Sequence, residues 1–322
     1  MRSKAYRRLR RSVALGISLA ATLAVPSTAS AHLRTGTVAV DDRARVVSSS
    51  PAFEVGVYLS DRALHLAVRS GHSVVVRGYL GGPFVRVGGH GVWIDDSSAT
   101  ARAAGLVPKG SPAGWRLERG RHTVVWHDGR VQALPPGVRR AHWTIPVVVD
   151  GQRRTIAGTV VRFAAPALWP WLLAAVLVAL IGLGVARGAE RGAVLVFGSV
   201  ACGCALVAAA GFALGTYASP GTWIATLDEA FFALAGLAVL AWGPRGAHAA
   251  VGGGLGILGL AVGLSRGAIF LHPVVLSVLP GTLTRALAAV GIGAGLAAAI
   301  CGTMFYARHE ELFRVTAGAR PG

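Results

Sequence analysis

The residue in this sequence with the most distinctive chemistry is His32, because it follows a predicted cleavage site. Ala29-Ser30-Ala31 supplies the small residues that signal peptidase requires before the bond it cuts. Cleavage there would leave His32 with a free α-amine beside its ring Nδ1, and these two nitrogens can chelate one metal ion. Cu(II), near the top of the affinity order for divalent metals, favours such nitrogen-rich square-planar ligands. We therefore predict a Cu(II) site whose first ligand is His32.

Two further ligands are predicted in the segment Trp126-His127-Asp128-Gly129, which supplies an imidazole and a carboxylate at one place. These are the ligand types that copper and zinc accept in proteins. We expect His127 and Asp128 to complete the copper site with His32. The alternative for each histidine of the region is an ordinary surface or strand residue, since no H-x-x-x-H or C-x-x-C spacing occurs there.

The segment before His32 has the organisation of a secretory signal peptide, residues 1–31. A dense cluster of arginines and a lysine precedes the apolar run Ser12–Val25, and Pro26 ends that run. An uncleaved anchor is the alternative, but the run is short for a membrane span of about 20 residues. The sequence therefore predicts that the domain beginning at His32 is exported.

Residues 32–165 are predicted to form an extracytoplasmic all-β domain. Short β-branched runs alternate with Gly, Pro, Asp and Ser, which favours an antiparallel sandwich. Asp150-Gly151 predicts a tight hairpin turn, and Ser98–Ala104 a short helix. The predicted strands are Thr37–Val40, Glu54–Ser60, Ala63–Val68, Ser73–Tyr79, Val85–Val87, Gly91–Ile94, Gly114–Leu117, His122–His127, Ala141–Val149 and Arg154–Phe163.

The composition of the whole chain indicates contact with lipid and argues against nucleic acid. Of 322 residues, 53% are hydrophobic and only 14% are charged, whereas about a quarter are charged in a typical soluble domain. The formal charge of +18 comes from scattered arginines with no nucleic-acid-binding motif. The predicted β domain has no cysteine, so it must be stabilised by its core alone and not by disulfides.

Residues 166–307 are predicted to form a transmembrane domain of five helices, and residues 308–322 a cytoplasmic tail. The segment His272–Pro280 is apolar but flanked by prolines, which favours an interfacial or re-entrant piece, with a sixth span as the alternative. The predicted spans are Ala167–Ala186, Ala193–Gly215, Ile224–Trp242, Ala249–Ser265 and Leu283–Tyr306.

Arginines in the loops predict the orientation of these helices in the plasma membrane. With the β domain outside and five spans, six arginines fall on the inner side and two on the outer side, as the positive-inside rule expects. Asp228 and Glu229 lie within the third span, where acidic side chains are costly. We expect Arg285, at the outer mouth of the fifth span, to neutralise one of them; a cation or proton site is the alternative.

The order of a signal peptide, a mature N-terminal histidine, a cysteine-free β domain and membrane helices resembles a CopC-like copper-resistance domain fused to a membrane segment. The resemblance covers about 130 residues and implies an immunoglobulin-like barrel that binds Cu(II) through its N-terminal His and a late Asp-Gly-His motif. His32 and Asp128-Gly129 match that pattern, but Arg130 stands where the family has a histidine. His127 would have to substitute for that histidine. The whole chain is similar to actinobacterial membrane proteins of the same layout.

The sequence predicts a non-enzymatic membrane protein, because it contains no nucleophile elbow, phosphate-binding loop, zinc-protease motif or cofactor fingerprint. The first hypothesis is a copper-binding envelope protein that uses His32. The second is an interaction or accessory protein whose β domain docks a partner, such as another membrane protein. The third is a transporter that uses Asp228 and Glu229, for which no inverted repeat is evident.

Overall fold

The computed structural model describes residues 38–58, 63–118, 120–131, 134–186, 190–215, 226–242, 251, 253–256 and 267–318. An antiparallel β region comes first and a set of helices comes after it. The strands are β1 Ala39–Val40, β2 Asp42–Val46, β3 Phe53–Tyr58, β4 Ala63–Val68, β5 Val74–Arg77, β6 Pro83–Gly88, β7 Gly91–Asp95, β8 Trp115–Glu118, β9 Thr123–Trp126, β10 Arg140–Val149, β11 Gln152–Arg162 and β12 Val274–Val275. The helices are α1 Ala99–Ala103, α2 Trp169–Ala186, α3 Glu190–Ala213, α4 Leu227–Trp242, α5 Ala268–Leu271 and α6 Gly281–Gly318.

A seven-stranded antiparallel sheet contains most of the β region, in the order β2-β11-β10-β5-β6-β7-β8. Its longest pairing joins β10 to β11 from Arg140 opposite Val161 to Val149 opposite Gln152. The turn between them uses positive φ angles at Asp150 (48°) and Gly151 (81°), as a two-residue turn of the I′ type requires. The predicted Asp150-Gly151 hairpin is therefore confirmed.

A smaller sheet, β3-β4-β9, shares one hydrophobic core with the large sheet. On β4 the side chains of Leu64 and Leu66 are fully buried while His65 between them is half-buried, which is the alternation expected of a strand with one face on the core. Phe84 from the large sheet meets Trp126 from the small one edge to face, with ring centroids 6.2 Å apart. The core thus lies between the two sheets.

The short helix predicted from Ser98 is confirmed as α1. The hydroxyl of Ser98 accepts a hydrogen bond from the backbone N–H of Ala101, as an N-cap residue does. Thr100 in this helix accepts a hydrogen bond from the N–H of Tyr79, which fixes the turn after β5 against α1.

Two of the described helices have the length and apolar composition needed to cross a membrane, namely Leu195–Ala213 within α3 and Gly281–Met304 within α6. Two shorter apolar stretches, Trp169–Val185 in α2 and Glu229–Ala241 in α4, accompany them. Most of the predicted span Ala249–Ser265 lies outside the described residues. Helix α6 continues without a break to Gly318, beyond the predicted end of the fifth span.

The helices pack closely where small residues meet. A Cβ at Gly293 of α6 would collide with the carbonyl oxygen of Ala175 in α2, so these two backbones are in contact. Leu240, near the end of α4, lies 3.2 Å from the position of a Cβ on Gly198, near the beginning of α3. Helices α3 and α4 therefore run in opposite directions.

The β region is joined to the helical part by a two-stranded antiparallel sheet. β1 pairs with β12, with Ala39 opposite Val275 and Val40 opposite Val274, and the N–H of Leu276 donates to the carbonyl of Val38 at 2.8 Å. We call this pairing, together with the hydrogen bond between His272 and Asp41, the junction. It involves the segment predicted to be interfacial or re-entrant, and that segment contains β12, which pairs with β1 in a sheet of their own.

Candidate functional site

Asp128, a predicted copper ligand, is almost completely buried, with 1% of its side chain exposed. Its carboxylate accepts hydrogen bonds from the indole N–H of Trp126 at 3.0 Å and from the backbone N–H of Arg130 at 3.0 Å. The guanidinium of Arg130 adds two more, from Nε at 2.9 Å and from Nη2 at 2.7 Å. Four donors therefore saturate the lone pairs that a metal ion would need.

His127 is the neighbour of Asp128 in the chain, but its side chain is exposed to solvent whereas that of Asp128 is buried. Its backbone N–H donates to the carbonyl of Ala104, which holds the turn against the end of α1. His32, the third predicted ligand, lies outside the described residues. Within the parts of the chain that the structure describes, no three His, Cys, Asp or Glu side chains converge so as to hold one metal ion.

Arg130 is the residue whose role the sequence did not indicate. Its guanidinium also donates to the carbonyl of Arg77 at 3.1 Å and lies 5.0 Å from the ring centroid of Tyr79. The hydroxyl of Tyr79 accepts a hydrogen bond from the N–H of Gly129 at 2.7 Å. Asp128, Arg130 and Tyr79 thus tie the turn after β9 to the turn after β5. The arrangement is a structural ion pair rather than an open ligand set.

A second imidazole–carboxylate pair lies at the junction. Nδ1 of His272 is 2.8 Å from Oδ1 of Asp41, and both side chains are partly exposed to solvent. His272 directly follows α5, and Asp41 separates β1 from β2. The two residues are 231 positions apart in the chain, so only the fold could reveal their proximity.

Arg285 holds the segment that carries His272. Its side chain is buried, and it donates to the carbonyl oxygens of Ile269 at 2.6 Å, His272 at 2.8 Å and Pro273 at 3.0 Å. Buried backbone oxygens require such donors. Arg285 therefore fixes the loop between α5 and β12 in the shape that β1 pairs with.

Arg285 was predicted to neutralise either Asp228 or Glu229, and no ion pair between Arg285 and Glu229 is observed. Both carboxylate oxygens of Glu229 are buried and lack a hydrogen-bond partner among the described residues. Arg285 directs its guanidinium to the three carbonyls instead. The buried guanidinium of Arg285 is thus hydrogen-bonded to backbone oxygens and not to Glu229.

Two further histidines, His65 and His72, have ordinary strand or turn surroundings. The ring of His65 stacks on Tyr58 with centroids 5.1 Å apart, and burial lowers its pKa although Glu54 acts in the opposite direction. His72 lies 2.7 Å from Asp150 at the exposed hairpin turn, and this hydrogen bond holds the pKa of the Asp150 carboxyl below its usual value. Among the residues that the structure describes, neither histidine belongs to a group of ligand-type side chains that could hold a metal.

Comparisons with protein-family models, with curated proteins and with solved structures found no match to this chain.

Proposed function

We propose that this chain is a multi-pass plasma-membrane protein whose β region lies outside the cytoplasm. Helix α2 supports this proposal because it exposes a whole set of large apolar side chains that water would not tolerate as one continuous surface. A lipid bilayer would cover them. They are Leu172, Leu173, Val176, Leu177, Leu180 and Ile181. The predicted signal peptide and the arginine distribution give the orientation, and we retain five spans as the proposed number.

We propose further that the protein acts as a non-enzymatic envelope accessory protein that holds its β region in one orientation over the membrane. The junction carries this proposal, because a strand pairing, a histidine–aspartate hydrogen bond and a buried arginine together attach the β region to the helices. A flexible anchor would need none of these contacts. The two sheets around one core fit the immunoglobulin-like sandwich that we propose for this region.

A disulfide across the junction tests the attachment in the membrane. Ala39 and Val275 face each other at a non-hydrogen-bonded position, where Cα atoms lie about 4.5 Å apart, within the range that a disulfide spans. In a variant without the native cysteines, Ala39→Cys with Val275→Cys should cross-link on mild oxidation of intact membranes. Ala39→Cys with Leu276→Cys is the matched control, because neighbouring strand residues point to opposite faces. Equal cross-linking of both pairs would refute the register.

Partner docking is tested at Leu80, which is 91% exposed at the tip of the turn between β5 and β6. An exposed leucine beside the ordered Tyr79 ring offers an apolar contact that the fold itself does not use. A photo-reactive residue at position 80 should give one discrete adduct in intact cells. The same residue at the exposed position Gln152 is the control. Absence of an adduct at position 80, or the same pattern at both positions, would contradict docking through this turn.

Copper binding is the second candidate function, and the position of the junction favours it. His32 is only six positions before Val38 in the chain, and Val38 takes part in the strand pairing of the junction. There the His272–Asp41 pair presents an imidazole and a carboxylate at the protein surface. These are the ligand types that the N-terminal chelate of His32 would need.

Titration of the mature full-length protein with Cu(II), followed by electron paramagnetic resonance, tests this candidate. We expect a type-2 spectrum that disappears when one glycine is placed before His32, because the chelate needs a terminal amine. Comparison of His127→Ala with His272→Ala then identifies the second imidazole. No binding at micromolar copper would exclude the site.

A further inference from the structure

Glu229, among the described residues of the helices, is a buried acidic side chain whose charge has no visible compensation. It has no exposed surface, and neither oxygen of its carboxyl group has a hydrogen-bond partner among the described residues. The buried Arg285, in contrast, has three backbone acceptors. An isolated ionised carboxylate in apolar surroundings is strongly disfavoured, and such a group takes up a proton instead. An acidic residue kept in a membrane helix under these conditions marks a site of function by default.

The packing of α4 on α3 locates this carboxyl within the bundle. Glu229 precedes Leu240 by eleven residues, which is about 16 Å along a helix. Leu240 contacts Gly198, and the helices run in opposite directions, so Glu229 is level with the region around Ala209 of α3. Two residues further on, the carbonyl of Gly211 accepts a hydrogen bond from the N–H of Val278, just after β12. Glu229 therefore lies at the end of the bundle that carries the junction.

Few other titratable groups are described on the elements that pack around this level. Cys202 and Cys204 of α3 lie about 10 Å or less along the helix axis from the level of Glu229, on the side away from the junction. On α6 the described groups are Arg285, which is bound to carbonyls, and Cys301, about four turns further along that helix. His272 and Asp41 pair with each other at the junction.

We propose that Glu229 is a reversible proton-binding site, protonated in the resting protein and able to release its proton toward the junction end of the bundle. On release the carboxyl O–H bond breaks, the carboxylate keeps the electron pair and the proton passes to water. The ligand is the proton itself, because among the described residues Glu229 belongs to no group of three His, Cys, Asp or Glu side chains that could replace the hydration shell of a metal cation.

Carbodiimide labelling of the full-length protein in lipid vesicles tests this proposal. Dicyclohexylcarbodiimide partitions into apolar regions and reacts with protonated carboxyl groups, so wild-type protein should gain one adduct on Glu229, located by fragmentation of the labelled peptide. The adduct should decrease as the pH is raised. Glu229→Gln should lose it, while Asp228→Asn and Glu118→Gln should keep it. Protection by sodium ions at constant pH would indicate a metal cation and overturn the proposal.

Infrared difference spectroscopy of the wild-type protein gives an answer that does not depend on the folding of a variant. A protonated carboxyl without hydrogen bonds absorbs at the high end of the carbonyl stretching range, separate from ionised carboxylates. We expect such a band near neutral pH and its loss at alkaline pH. If wild-type protein shows no protonated carboxyl band near neutral pH, Glu229 is ionised and the proposal is wrong.

Discussion

Replacement of Asp128 by alanine should strongly destabilise the β region even in the absence of any metal. The substitution removes the acceptor of the Trp126 indole N–H and of two guanidinium donors of Arg130. The indole nitrogen is left in the core without a partner, and the partly buried guanidinium of Arg130 loses its counter-ion. If Asp128 were mainly a metal ligand, the same substitution in metal-free buffer would change stability very little.

The size of the effect follows from the exposure of the two partners. Breaking a buried ion pair by removing one member costs about 3–5 kcal/mol. Asp128 is 1% exposed but Arg130 is 19% exposed, so water can partly solvate the remaining guanidinium. We therefore expect a loss near the lower limit, about 3 kcal/mol. With urea slopes of about 1–3 kcal/mol per molar, the unfolding midpoint should fall by roughly 2 M.

Pulse proteolysis of the full-length protein in detergent, across a urea series, measures this midpoint for the β region. The double variant Asp128→Ala with Arg130→Met is the informative control, because it removes the uncompensated charge together with its partner. The double variant should recover a substantial part of the loss. A midpoint shift below about 0.5 M for the single variant, or additive losses in the double variant, would refute the assigned ion pair.

The remaining predictions concern other single contacts. In a carboxyl NMR titration, the pKa of Asp150 should lie below its usual value, and it should rise in the variant His72→Ala. Because the lowered pKa means that folding stabilises the carboxylate, the contribution of this contact to stability is present at neutral pH. It is lost as the pH falls through the lowered pKa. An Asp150 that titrates at its usual pKa would contradict the contact. Gly158→Ala should lower the free energy of unfolding by about 2 kcal/mol or more in the urea assay, because the added Cβ would collide with a core tryptophan ring and a strand carbonyl. Gly56→Ala is the control: its Cβ meets no atom within 4 Å, so the free energy of unfolding should not change. Arg285→Met should reduce the yield of the junction disulfide, since three backbone carbonyls lose their donor; an unchanged yield would show that the loop keeps its shape without the guanidinium.

Most strands could be predicted from local pattern, and the one missed in the β region shows the limit of that pattern. The predicted runs match strands within a few residues, because β-branched runs bounded by turn residues are a local signal. β2 was missed because its sequence, Asp42-Arg43-Ala44-Arg45-Val46, is mostly charged. Asp42 is nevertheless buried, and two hydrogen bonds from the guanidinium of Arg162 on β11 compensate its charge. That compensation lies 120 positions away in the chain and leaves no local trace.

The contacts around the candidate site could not be predicted, for a related reason. The sequence showed that Asp128 had an imidazole beside it, but Arg130 was interpreted only as a departure from a copper motif. An arginine two residues after an aspartate can fold back on it, and here the backbone N–H of Arg130 also binds the same carboxylate. The pairing of His272 with Asp41 could not be predicted at all, because each lies in a different part of the chain.

The pairing of β1 with β12 has a consequence for how the protein is made. A chain is synthesised from its N-terminus, so Ala39 and Val40 leave the ribosome long before Val274 and Val275 exist. Until the intervening helices have been synthesised, the first strand has no partner, and closing so large a loop is entropically costly. Completion of the junction therefore requires that the chain has been made as far as β12. A chain arrested earlier would carry an unpaired strand edge, which is the kind of feature that quality-control proteases and chaperones detect.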